Sequence, residues 1–216
     1  MSNVSNDKAS TSTPVAGKSA QTSRLSWRVI DIVTAAVLGV AVGLVFLVWN
    51  IVGGTWFEAL DAVTPGLGGL AVGVWLLGGP LGMLIIRKPG AAIFVELIAA
   101  SASAALGSQW GISTLYSGLA QGLGAELIFL LLMYRKFGLG VSMLSGALAG
   151  LGAFALELFT SGNLAKALEF KMIYASTLFI SGAILAGLVA WLLTRALAKT
   201  GALDRFAAGR EVRGEV

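Results

Sequence analysis

From Trp27 onward the chain alternates between long apolar stretches and short breaks of glycine, proline or charge. Six apolar windows stand out, at about 29–49, 66–86, 90–106, 115–134, 138–159 and 173–194. A bilayer asks for about 20 apolar residues per helical crossing, so each window predicts a transmembrane helix. At 1.5 Å rise per residue they run from about 25 to about 33 Å, enough to cross with some tilt or local thinning. The third window is the shortest and follows Arg87-Lys88-Pro89-Gly90, where proline suits a first helical position because its missing N–H would have had no intrahelical partner. Pro80, after Gly78-Gly79, is expected to bend the second helix. Residues 1–26 are rich in Ser, Thr and Asn and carry no apolar run that would repay ordering, which predicts a disordered tail. The run after Trp27 continues to full span length, unlike the short core of a cleaved signal peptide, and is expected to be retained. The expected organisation is therefore a tail (1–26), an all-α six-helix membrane domain (27–198) and a C-terminal tail (199–216).

Composition agrees with the pattern. Of 216 residues 56% are hydrophobic and 12% charged, against roughly 25% charged in an average soluble domain, and mean hydropathy is +0.85. There is no His and no Cys. This excludes Ser-His hydrolysis, His-based zinc or haem sites, Fe–S clusters and disulfides. No metal site and no bound cofactor are expected. Thirteen of the 15 Lys and Arg residues fall at one side of the six predicted helices, leaving only Lys166 and Lys171 at the other. The positive-inside rule then places both termini and the turns at Arg87-Lys88 and Arg135-Lys136 in the cytoplasm of a cell-membrane protein, with loops near 50–65, 107–114 and 160–172 outside. Scattered juxtamembrane cations of this kind do not make a nucleic-acid stripe.

Four acids, Asp31, Glu96, Glu126 and Glu157, lie within the windows. Asp31, in a first turn near Arg28, reads as a solvated helix-start acid. Each of the three Glu would cost several kcal/mol facing lipid, so each is expected to face the bundle interior, a polar cavity or a partner. Their i, i+4 neighbours are small: Ala92, Ala100 and Ala104 for Glu96, Gly118 and Gly122 for Glu126, Ala149 and Ala153 for Glu157. Such stripes mark close helix–helix seams. By rise per residue Glu157 lies within a turn of the outer surface, Glu126 about 16 Å in, and Glu96 about 9 Å from the inner end. A pocket opening outward most easily holds Glu157 and Glu126; Glu96 joins it only if the cavity is deep or the short third helix is displaced.

Around the outer ends cluster Trp49, Asn50, Trp56, Gln109, Trp110, Tyr116 and Gln121, with Trp75 near midplane. Interfacial anchoring accounts for many Trp and Tyr residues in membrane proteins, but not for one at midplane. Aromatic faces, amides and carboxylates with no basic residue among them suit a small cationic or amidine-bearing aromatic ligand, held by stacking, cation–π attraction and charge pairing. On the first helix Ala35, Gly39 and Gly43 form a small-residue line, read either as a partner-docking face or as packing within the bundle.

Several ordered segments carry a resemblance. Ile86-Arg87-Lys88-Pro89-Gly90-Ala91-Ala92 is followed by Glu96 and Ile98-Ala99-Ala100. Gln121-Gly122-Leu123-Gly124-Ala125-Glu126, an acid before Leu158-Phe159 and Ser161-Gly162, and Ser181-Gly182-Ala183 with Leu185-Ala186-Gly187 come after it. Over roughly residues 27–210 the chain resembles the YkoE type of S component, the substrate-binding subunit of energy-coupling factor (ECF) vitamin transporters. The resemblance implies binding of thiamine or its hydroxymethylpyrimidine precursor from outside. It also implies docking through the first helix on a transmembrane coupling (T) subunit with two cytoplasmic ATPases or one fused ATPase, and toppling in the membrane to release substrate inward. Glu96, Gln121, Glu126 and Glu157 take ligand-binding roles by this resemblance, and Ala35, Gly39 and Gly43 the docking role, although the usual AxxxA is here Ala followed by Gly. No Walker A pattern occurs, so ATP would be hydrolysed by partners and the chain itself is not an enzyme. Trp75, Tyr116, Trp49 and Asn50 complete the expected substrate site. Thiamine, with a thiazolium cation and an aminopyrimidine edge, and hydroxymethylpyrimidine both remain open. The competing reading is a proton- or cation-coupled transporter that uses the same Glu residues as carriers.

Overall fold

The first helix does not stop where its apolar window does. In the computed structural model, which describes residues 25–214, α1 runs from Val29 to Val63. The extra turns replace most of the loop expected at 50–65. Residues 50–63 contain no proline, and the two glycines there cost only about 1 kcal/mol each relative to Ala. The helix ends at Thr64, just before Pro65, as the restriction on a pre-proline residue requires. Next come a 3₁₀-helix (Leu67–Leu76), α2 (Gly78–Ile86), α3 (Ala91–Ala105), α4 (Ser113–Leu131) and α5 (Leu139–Thr160). After a short 3₁₀ turn (Asn163–Ala165), α6 (Leu168–Ser181), a π segment (Gly182–Leu188) and α7 (Val189–Lys199) form one continuous rod. A last helix, α8, spans Ala207–Val212.

The chain is an all-α membrane bundle. Among the described residues five stretches are long and apolar enough to cross a bilayer: Val29–Val63, Leu67–Ile86, Ser113–Leu131, Leu139–Thr160 and Leu168–Lys199. Ala91–Ala105 is a shorter apolar helix, where the sequence had predicted a sixth full span. All nine residues of α2 are buried, including Met83, Leu84 and Ile85, so this helix forms the axis of the bundle. A helix apolar all round belongs in such a place.

The second window is not a single helix bent at Pro80. Its first half is wound as a ten-residue 3₁₀-helix, far longer than the usual three or four residues. Hydroxyls of α6 hold it: Ser181 Oγ accepts the Gly73 N–H at 2.9 Å and donates to the Leu70 carbonyl at 2.7 Å, and Thr177 Oγ1 donates to the Gly66 carbonyl at 2.8 Å. Gly73 also lets the two backbones approach, since a Cβ there would lie 2.6 Å from Ser181 Oγ. The π segment likewise has an external tie, Ser142 Oγ donating to the Gly187 carbonyl at 2.6 Å.

Two further expectations are corrected. Ala35, Gly39 and Gly43 do not form an exposed docking face. Ala35 is fully buried, a Cβ on Gly39 would come within 2.6 Å of Ile98 Cβ, and one on Gly43 within 2.7 Å of Ala102 Cβ. The stripe is used up in packing α1 against α3, the kind of close approach small residues permit. Asp31 is not solvated but fully buried. Its carboxylate accepts the Arg28 backbone N–H at 2.9 Å and two guanidinium N–H groups at 3.1 and 2.7 Å, the N3 half of a capping box reinforced by charge. The expected tail at 199–216 is folded as far as it is described. Leu203, Phe206 and Ala208 are buried, Glu211 pairs with Arg87, and Asp204 pairs with Arg213. The expected disordered tail at 1–26 lies outside the described residues except for its last two.

Candidate functional site

The extension of α1 and the glycine-rich second element leave a gap near one end of the bundle. It is a cavity of about 590 Å³, within the roughly 300–1,000 Å³ of small-molecule sites. Seven helical elements wall it, one of them the short 3₁₀ turn that supplies Asn163. Asn50 and Phe57 come from α1, Val72 and Trp75 from the long 3₁₀-helix, Glu96 and Ser103 from α3. Gln109 and Trp110 precede α4, which supplies Tyr116 and Gln121; Glu157 comes from α5, and Phe170 and Tyr174 from α6.

Glu96 is the most buried acid of the cavity wall, 1% exposed. Its Oε2 accepts the Gly79 N–H at 2.6 Å at the start of α2, whereas Oε1 has no hydrogen-bond partner. A buried polar atom without a partner calls for an explanation, and a ligand donor is one. An aromatic wall faces the same space. Trp75 Nε1 donates to Asn50 Oδ1 at 2.8 Å, and Asn50 Nδ2 donates to Ser103 Oγ at 3.2 Å. The Trp75 ring meets Trp110 edge to face, centroids 5.3 Å apart at 89°. These contacts fix Trp75 and Asn50 before any ligand arrives.

On another wall Glu157 accepts the Tyr174 hydroxyl at 2.6 Å, and Tyr174 stacks on Phe170 at 5.5 Å and 22°. Lys166 Nζ lies 4.0 Å from the Phe170 ring centroid and also lines the cavity. This corrects the expectation of a site with no basic residue. Four carboxylates, Glu58, Asp61, Glu96 and Glu157, nevertheless outnumber that one ammonium among the lining residues. The balance favours cations, while aromatic faces and amides supply stacking and hydrogen bonds.

The structure therefore brings together Glu96, Gln121, Glu157, Trp75, Tyr116 and Asn50. Trp49 stands one layer back, its Nε1 donating to the Ala71 carbonyl at 2.9 Å and its ring edge-on to Trp75 at 6.5 Å. Trp56, 58% exposed, does not line the cavity. Neither does Glu126. Its carboxylate accepts the N–H groups of Gly90 at 2.7 Å and Ala92 at 3.0 Å, which caps the orphan donors at the start of α3 from a neighbouring helix. Gln121 and Glu126 are five residues apart, about 140° around the helix, so they cannot serve one face.

Sequence reasoning missed Phe57, Glu58 and Asp61 because they lie beyond the apolar window of the first helix. Their signal was present, since Asn50, Gly54, Phe57 and Asp61 follow helical spacing on one line. Lys166, Phe170 and Tyr174 repeat at intervals of four in the same way.

Comparisons with known proteins are consistent with this geometry. Residues 30–152 match the family described as "ABC-type cobalt transport system, permease component". The chain is 34% identical over 193 residues to YkoE of Bacillus subtilis (strain 168), provisionally named an HMP/thiamine permease protein, over 87% of this chain and 93% of that one. It also superposes on the crystal structure of an S-component of an ECF transporter, with a TM-score of 0.74 and 33% identity over 88% of this chain and 95% of that one.

Proposed function

Because the chain belongs to the YkoE-like S components of ECF transporters, non-enzymatic membrane subunits that associate with an energy-coupling module, we propose that its cavity binds thiamine or hydroxymethylpyrimidine for import. The observation that carries this reading is Glu96, with one oxygen fixed by Gly79 and the other unpartnered in a cavity walled by Trp75 and Trp110. A carboxylate so held can pair the aminopyrimidine edge that both ligands share. The Trp faces supply stacking, and Glu157 with the other lining acids supplies a negative field for the thiazolium that only thiamine carries. The cobalt in the description of the matched family finds no matching donor set. The chain has no His or Cys, and among the described residues no group of three or more His, Cys, Asp or Glu is placed to hold a metal.

Titrating detergent-purified, ligand-free protein with each compound, with its six Trp as reporters, tests the proposal. Saturable quenching in the submicromolar range is expected for at least one of them. A folded sample that responds to neither overturns the vitamin reading and favours a cation-coupled carrier.

Both termini are proposed to be cytoplasmic, with the cavity opening outward, and ATP hydrolysis is assigned to the partner ATPases beside a transmembrane coupling subunit. The distribution of Lys and Arg supports this orientation. The natural absence of Cys makes it easy to check by labelling with a membrane-impermeant maleimide. Ala165→Cys is expected to react in intact cells, and Thr200→Cys only after permeabilisation. The opposite pattern would invert the topology.

A further inference from the structure

Among the described residues Lys166 is the only basic side chain on the cavity wall, and it sits where a cationic ligand would be attracted. It follows the short turn Asn163–Ala165, with its backbone N–H bonded to the Asn163 carbonyl at 3.2 Å. Its Nζ is held 4.0 Å from the Phe170 ring centroid, and behind that ring come Tyr174 and the Glu157 carboxylate it donates to. The arrangement is thus an ammonium, two stacked rings and a carboxylate in sequence along one wall.

Such an array is what a cation-binding subsite offers, and a residue of the chain itself already engages it. We propose that Lys166 is a tethered competitor that occupies the cation subsite of the empty transporter and must be displaced by a charged ligand, so that it sets the preference between charged and neutral ligands. This rests on the vitamin-binding reading above. Two features favour displacement over a fixed structural role. Lys166 is exposed, whereas Tyr174 and Asn163 on either side of it in the chain are buried. Its Nζ also donates no hydrogen bond to any described residue, so only the ring face and the field of the acids hold it. A thiazolium entering the subsite gives up water and meets an ammonium competing for the same ring. Hydroxymethylpyrimidine has no such cation and does not meet that competition.

The test compares thiamine and hydroxymethylpyrimidine affinities in the full chain for wild type, Lys166→Gln and the charge-conserving Lys166→Arg. The ratio of thiamine to hydroxymethylpyrimidine affinity is expected to rise by about twofold to fivefold in Lys166→Gln, the range of a single exposed cation–π contact, and to rise less in Lys166→Arg. A ratio that stays the same or falls in Lys166→Gln overturns the proposal while leaving vitamin binding intact. If wild type binds neither compound, the functional reading fails and this inference fails with it. Retained binding of either compound by the variant shows that it is folded.

Discussion

Glu96→Gln is expected to lower the affinity for thiamine and for hydroxymethylpyrimidine by about 100-fold without unfolding the protein. The amide oxygen of glutamine can take over the Gly79 N–H that Glu96 Oε2 now accepts at 2.6 Å. The contact to the start of α2 therefore survives. What disappears is the second carboxyl oxygen, the one that has no partner within the protein, replaced by an amide N–H₂ that meets the ligand's amine donor to donor. Leaving a buried donor without its acceptor costs about 1–3 kcal/mol, and 100-fold, at the upper end of that range, corresponds to about 2.7 kcal/mol. Because the aminopyrimidine edge is common to both ligands, both should suffer. Calorimetric or fluorescence titration measures the loss, and a thermal melt of the same sample reports the fold. Binding within threefold of wild type would remove Glu96 from the ligand site.

A second large effect is expected where no ligand is involved. Gly146→Ala should cost about 3 kcal/mol of stability or more. α5 and the π segment meet there backbone to backbone: a Cβ on Gly146 would overlap the Gly182 carbonyl and lie 2.7 Å from the Gly187 nitrogen. Overpacking usually costs about 1–3 kcal/mol, with relief from side chains that move aside. Here the obstacles are main-chain atoms, one of them beside the Gly187 carbonyl that Ser142 already binds. The better helix propensity of alanine returns at most about 1 kcal/mol, so the clash wins. Gly140→Ala, in the same helix with open space around its Cβ, is the matched control and should be neutral or slightly stabilising. Melting temperatures in one detergent compare the two. A Gly146→Ala protein that melts at or above wild type would show that the seam can open cheaply.

The fall in stability at Gly146 and the fall in affinity at Glu96 arise from features that differ in how readable they were. That the chain crosses a membrane repeatedly, lacks imidazole and thiol chemistry, and carries acids at small-residue seams was legible in its residues. So was the grouping of Trp75, Asn50 and Gln121 with carboxylates, which the structure places on the wall of one cavity. The boundaries were not. The window rule ended α1 near Trp49, although the helix continues to Val63 and carries Phe57, Glu58 and Asp61 to the cavity. Beyond the apolar window their helical spacing persists, but hydropathy alone does not register it.

Glu96 and Glu126 look alike as sequence, each a lone acid on a line of small residues in an apolar helix. Tertiary structure alone separates them. Glu126 meets the free N–H groups at the start of α3, while Glu96 shares its carboxylate between α2 and the cavity. Likewise the line of Ala35, Gly39 and Gly43 declared a close approach without naming the partner, which proved to be α3 of the same chain. Lipid and protein interior are both apolar, so hydropathy fixes how long a membrane helix is and hardly constrains what it touches. Donors, carbonyls and close-packed backbones make that choice, and their positions exist only once the helices have been assembled.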